Sequence, residues 1–162
     1  MAIVITSTAF KEGDDIPAQY TCEGANMSPP LSWSGVPLEA QSLALLMEDP
    51  DAPGGTYTHW MLLNLARDID GLPENVPADE TLADGSRQLA NSFGNIGYGG
   101  PCPPPGNGSH RYFFRVYALD SSISLNKGAK REDFLNTIEG HILDEGQLMG
   151  RFERSQAKAT KG

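Results

Sequence analysis

A chain of 162 residues, 39% hydrophobic and 20% charged, is long enough to bury a real core and too apolar to be disordered. Its net charge of −9 excludes a general nucleic-acid binder, which needs a basic face, and disfavours docking on an anionic membrane surface. The 18 glycines and 12 prolines cluster between apolar runs, which favours many turns between short strands over long helices.

Taken in chain order, residues 1–10 supply a first strand candidate. Met1–Ile5 is apolar, but Thr6, Ser7 and Thr8 follow at once, without the basic and hydrophobic regions of a signal peptide. No apolar run is long enough to span a bilayer, so the expected location is the cytoplasm. There Cys22 and Cys102, far apart and without metal-type spacing, are expected as free thiols. Residues 11–37 are turn-rich, with a short strand candidate at Leu31-Ser32-Trp33. The apolar run 43–48 reads as a buried strand, although periodicity alone does not separate it from a helix, and Asp49-Pro50 ends it.

Trp60 to Leu65 is a second buried strand candidate, and the polar stretch 66–86, broken by Gly71, Pro73, Pro77 and Gly85, reads as loop. Arg111 to Leu119 is the strongest strand, with Tyr112, Phe114, Val116 and Ala118 on one face. Residues 130–144 read as the main helix, because Phe134, Ile138 and Ile142 form one stripe that Gly140 weakens. A last short strand or turn is expected from Leu148 to Glu153. No repeat or linker divides the chain, so one domain over 1–154 is expected, with a polar, mobile tail at 155–162.

Two of the three histidines stand where a Pro/Gly loop meets a strand. In the first case Asp49 and Asp51 are held in the stiff turn D-P-D-A-P, and His59 precedes the run WMLLNL. One carboxylate can face a pocket and orient His59 or a ligand ammonium; equally, both can cap the turn. The isomer of the bond before Pro53 is open. In the second case GYGGPCPPPGNG leads into His110 and Tyr112, which share a face at the start of a strand. Glycine N–H groups, an imidazole and a phenol can together bind an oxyanion. Arg111 then points away, into a structural ion pair. His141 reads as a packing or surface histidine, Trp33 as core, and Asp14 and Asp15 as a solvated turn.

These motifs occur in one order: FKEGDDIPAQYTCEGANMSPPLSWSGVP, DPDAP, THW, GPCPPPGNGSHRYFFRVYALD and GHILDEGQLMGRFER. Over roughly residues 5–154 the chain resembles the phosphatidylethanolamine-binding protein (PEBP) family, in its bacterial Raf-kinase-inhibitor-like branch. The resemblance implies a mainly β fold, a large antiparallel sheet packed on a smaller sheet with a few short peripheral helices. It also implies a pocket for phosphate-like anions, including the phosphoethanolamine headgroup. On the matching motifs the ligand-binding residues are Asp49, Pro53, Tyr57, His59, Gly100, Pro101, His110 and Tyr112, with Tyr57 standing where the family usually carries tryptophan.

The leading expectation is therefore a non-enzymatic binding or regulatory protein, without cofactor or resident metal, that holds a small phosphate-like anion or phosphorylated headgroup. His59 and His110 would donate to the anion, and Gly100 would allow close approach. The alternative is a kinase or protease inhibitor acting through the pocket rim. A hydrolase is disfavoured by the lack of a G-x-S-x-G elbow, and a metal enzyme by the lack of H-x-x-x-H or C-x-x-C spacing. The branch also suggests a homodimer.

Overall fold

The computed structural model describes residues 3–155. Among these described residues eight strands form two antiparallel sheets. The smaller sheet has the order β1 (Val4–Thr6), β2 (Leu31–Ser34) and β5 (Gly71–Leu72). The larger has the order β6 (Arg87–Gln88), β4 (Tyr57–Leu65), β3 (Ser42–Asp49), β7 (His110–Leu119) and β8 (Ile142–Phe152). The mainly β architecture is as expected, with α1 (Arg131–Ile138) and one 3-10 turn at Ala18–Tyr20 as the helical elements.

The two sheets enclose the main core. Ile5, Leu31 and Trp33 of the small sheet pack with Leu45, Met47, Trp60, Leu62, Phe114 and Val116 of the large one. Trp33 donates its indole N–H to the Ile69 carbonyl at 2.8 Å, so its polar edge is satisfied inside that core. The other face of the large sheet is buried too: Leu46, Met61, Leu63 and Leu119 pack against Phe134 and Ile138 of α1. This double coverage explains why every residue of β3 is buried, and why its sequence runs apolar without alternation. It also splits β7 as its period-2 pattern predicts, with Tyr112, Phe114, Val116 and Ala118 toward the small sheet.

The helix is shorter than the pattern suggests. It covers Arg131–Ile138, and Gly140, at φ +83°, turns the chain into β8. Ile142, the third member of the apolar stripe, pairs instead with Leu119 across the sheet and is 37% exposed. The expected short strand at 148–153 is thus the second half of an 11-residue strand. β8 needs glycine where it passes the N-terminal segment, since a Cβ on Gly146 would stand 1.9 Å from the Ile3 carbonyl oxygen. The stretch 66–86, read as loop, contributes the two residues of β5. Of the expected mobile tail, Ser155 donates its N–H to Glu23 at 2.7 Å, and 156–162 lie outside the described residues.

The cysteine expectation is corrected. Cys22 and Cys102 are joined by a disulfide, with their Cα atoms 5.4 Å apart. Nothing local in the sequence pairs residues 80 positions apart; the tertiary fold brings them together. The free thiols were inferred from the expected cytoplasmic location, and a disulfide is not the state that a reducing compartment ordinarily keeps. Among the described residues no helix is long and apolar enough to cross a membrane.

Candidate functional site

The ends of three neighbouring strands meet at one edge of the large sheet. β3 ends at Asp49, β4 begins with Tyr57 and His59, and β7 begins with His110 and Tyr112. Antiparallel pairing of β3 with both β4 and β7 brings the end of β3 beside the two starts. A cavity of about 430 Å³ opens there, lined by Asp49, Pro53, Tyr57, His59, His110 and Tyr112 among the expected site residues. Every peptide bond of the described residues is trans, that before Pro53 included.

The polar floor is a chain of contacts. His110 Nδ1 lies 2.7 Å from Asp49 Oδ2, and both side chains are almost fully buried. His110 Nε2 lies 2.5 Å from Asn107 Oδ1, so both ring nitrogens are engaged. The other Asp49 oxygen accepts the Asp51 N–H at 2.7 Å. Asp51 itself points outward and grips Arg111 through the backbone N–H, Nε and Nη2. That guanidinium holds the Asp51 carboxyl down at about 2. The two aspartates therefore divide their work: Asp49 serves the pocket, and Asp51 locks the start of β7.

His59 is set differently. Its Nδ1 lies 2.6 Å from the Gly99 carbonyl, which can only accept, so Nδ1 carries the proton and Nε2 is left with a lone pair. Burial pushes its pKa below the ordinary 6.5, against the opposing pull of the Gly99 carbonyl and the Asp49 carboxylate. Tyr57 and Phe93 pack around it, with ring centroids 5.3 and 5.5 Å away.

Tyr112 supplies the most telling atom. The residue is wholly buried, yet its hydroxyl is the one buried side-chain polar atom among the described residues with no hydrogen-bond partner. Burial first, and then the nearby Asp49 charge, hold the phenol in its protonated form. The Asp49 oxygens raise it without meeting hydrogen-bond geometry. An orphan donor in a cavity wall is costly unless something else fills the role. Tyr112→Phe is expected to leave the empty protein equally stable, or about 1 kcal/mol more stable, while weakening anion binding about tenfold. Urea titration and calorimetry of the same variant check both halves.

Gly100 and Pro101 do not line the cavity. A Cβ on Gly100 would stand 2.4 Å from the Tyr20 carbonyl oxygen and 2.3 Å from Asn26 Oδ1. Its close approach is thus to the chain itself, with its N–H donated to Asn26 at 2.9 Å. Pro101 accepts the Cys22 N–H at 3.1 Å. Both residues anchor the loop that walls the pocket. Sequence reasoning missed Phe93 and Asn107, and it singled out the loop of Cys102, Pro103 and Pro104 without counting those three as ligand-binding; all form part of the site or its support. An aromatic in a glycine-flanked turn and an amide three residues before His110 were the available signals. His141, by contrast, pairs with Asp120 on the surface at 2.8 Å. Among the described residues no group of three His, Cys, Asp or Glu side chains is placed to hold a metal ion.

Comparison with known proteins shows the family and the fold. The family model described as phosphatidylethanolamine-binding protein matches residues 6–153. A UPF0098 protein of Methanothermobacter thermautotrophicus is 54% identical over 146 residues, covering 90% of this chain and 95% of that one. The crystal structure of CT736 from Chlamydia trachomatis aligns with a TM-score of 0.85 at 41% identity, over 95% of this chain and 99% of that one. E. coli YbcL, described as a member of the mammalian PEBP family, aligns with a TM-score of 0.89 at 31% identity, over 96% and 100%. A carboxypeptidase Y inhibitor, solved with its cognate proteinase, shares the fold at 17% identity and a TM-score of 0.60.

Proposed function

This chain belongs to the phosphatidylethanolamine-binding protein family, and from that premise we propose that it is a non-enzymatic binding protein whose cavity takes a phosphate-like oxyanion. The observation that carries the reading is the unpartnered Tyr112 hydroxyl, buried beside two imidazoles in a cavity of about 430 Å³. A ligand oxygen would complete its hydrogen bonding. The apolar rim of Tyr57, Phe93 and Pro53 would exclude water and strengthen that bond.

The charges set a condition. Asp49 is the pocket's own carboxylate, and neutral His59 offers a lone pair rather than a proton. An oxyanion is held by His59 only when the ring takes up a second proton at Nε2. Binding of the anion therefore raises the depressed His59 pKa. By linkage, affinity climbs as pH falls through the raised bound-state value, and levels off only below the free-protein value, which lies under 6.5. The His59 ring signals would shift on titration with phosphoethanolamine, and uptake of protons would rise with pH in calorimetry. Ethanolamine O-sulfate, whose charge does not change over this range, separates the ring's proton from the ligand's. Affinity independent of pH for both ligands, with unmoved ring signals, overturns the reading and leaves the rim as a surface for a protein partner.

A further inference from the structure

The disulfide is not remote from the pocket. Cys102 lines the cavity, and Pro103 and Pro104 continue the same wall. The loop from Gly99 to Ser109 carries the Gly99 carbonyl that holds His59 and the Asn107 amide that meets His110. Between those two points the wall is tied to the Tyr20–Asn26 segment by the Cys22–Cys102 bond, the Cys22–Pro101 hydrogen bond and the Gly100–Asn26 hydrogen bond. The disulfide is the one covalent tie.

Its surroundings favour reaction. Both cysteines are half-buried rather than sealed in the core. Arg154 Nη1 donates to Cys102 Sγ at 3.4 Å, and Glu23 and the Ser155 N–H hold the arginine's segment in place. A guanidinium beside a sulfur stabilises its thiolate and makes it the better leaving group.

We propose that Cys22–Cys102 is a thiol–disulfide exchange site for an external dithiol, and that its redox state sets how tightly the cavity holds its ligand. The second half rests on the anion reading above. In the first step a thiolate of the dithiol forms a bond to Cys22 Sγ. The Cys22–Cys102 bond breaks, and its electron pair leaves on Cys102 Sγ beside Arg154. In the second step the remaining thiolate of the dithiol attacks its own sulfur in the mixed disulfide. The Cys22 thiolate leaves and takes a proton from water. The dithiol is oxidised, the protein is reduced, and no other reactant is needed.

Reduction frees Cys102–Gly106 while Gly99 keeps its hold on His59. The pocket is then intact but its wall is loose. Re-ordering one or two residues on binding lowers affinity by about tenfold.

The test compares oxidised and dithiothreitol-reduced protein under native conditions. Both cysteines are expected to become reactive to a thiol dye while the fold is retained, judged by the dispersion of amide signals. Amide exchange at Asn107, whose N–H is held by the Pro104 carbonyl, then speeds up, phosphoethanolamine binds about tenfold more weakly, and reoxidation restores both properties. Arg154→Gln slows reduction by roughly threefold. The Cys22→Ser, Cys102→Ser double variant behaves as the reduced protein and is blind to the dithiol. Cysteines that stay unreactive in the folded protein overturn the exchange site. Exchange rates and affinity that ignore reduction overturn the control of the pocket. If the oxidised protein fails to bind phosphoethanolamine, the anion reading falls, and the exchange rates still decide the clamp.

Discussion

Asp49→Ala is expected to lower stability by about 3 kcal/mol and to abolish oxyanion binding, the largest effect on binding of any single change in the site. The side chains of Asp49 and His110 are 4% and 3% exposed, so removing the carboxylate leaves a buried imidazole nitrogen without its partner. It also strips the acceptor from the Asp51 N–H and loosens the turn that presents Asp51 to Arg111. Asp49→Asn keeps an acceptor of the same shape and should cost less than half as much. Urea unfolding of the two variants reads the difference. Equal midpoints for wild type and Asp49→Ala would mean that water reaches His110 and that the pair does not organise the site.

The second large effect is on the disulfide. A bond between residues 80 apart removes much of the freedom of the unfolded chain, and the loop-entropy relation assigns it about 4.5 kcal/mol. For a chain of this size that corresponds to a fall of about 13 °C in the thermal midpoint of Cys22→Ser. A domain of ordinary stability remains folded after such a loss, which is why the reduced protein can be studied at all. Calorimetric scans with and without dithiothreitol check the figure. A midpoint that does not move on reduction would show that the unfolded chain is already held compact in that region.

The strands were legible because burial leaves a local signature. Period-2 alternation in β7, and the unbroken apolar run of β3, follow directly from which faces are covered. The helix was overread for a related reason. Phe134, Ile138 and Ile142 keep helical spacing, yet Ile142 gains a ladder partner in Leu119, and Gly140 makes the left-handed turn easily. Of the site, the strand-end residues were legible: Asp49, His59, His110 and Tyr112 sit where loops hand over to strands. Gly100 and Pro101 were legible as special, but their purpose was not. The close approach is to Tyr20 and Asn26, which no spacing reveals.

By itself, then, the sequence determined the strand-rich class, the acidic and non-basic character, and the set of strand-end groups able to meet a polar ligand. These are properties of residue type and of periods of two to four positions, which side-chain volume and backbone sterics impose locally. Tertiary structure alone decided which aspartate faces the pocket, which proton His59 carries, that Tyr112 lacks a partner, and that Cys22 meets Cys102. Each of these depends on contacts between groups tens of residues apart. Their energies arise from burial and hydrogen-bond geometry, which exist only once the two sheets have closed on each other.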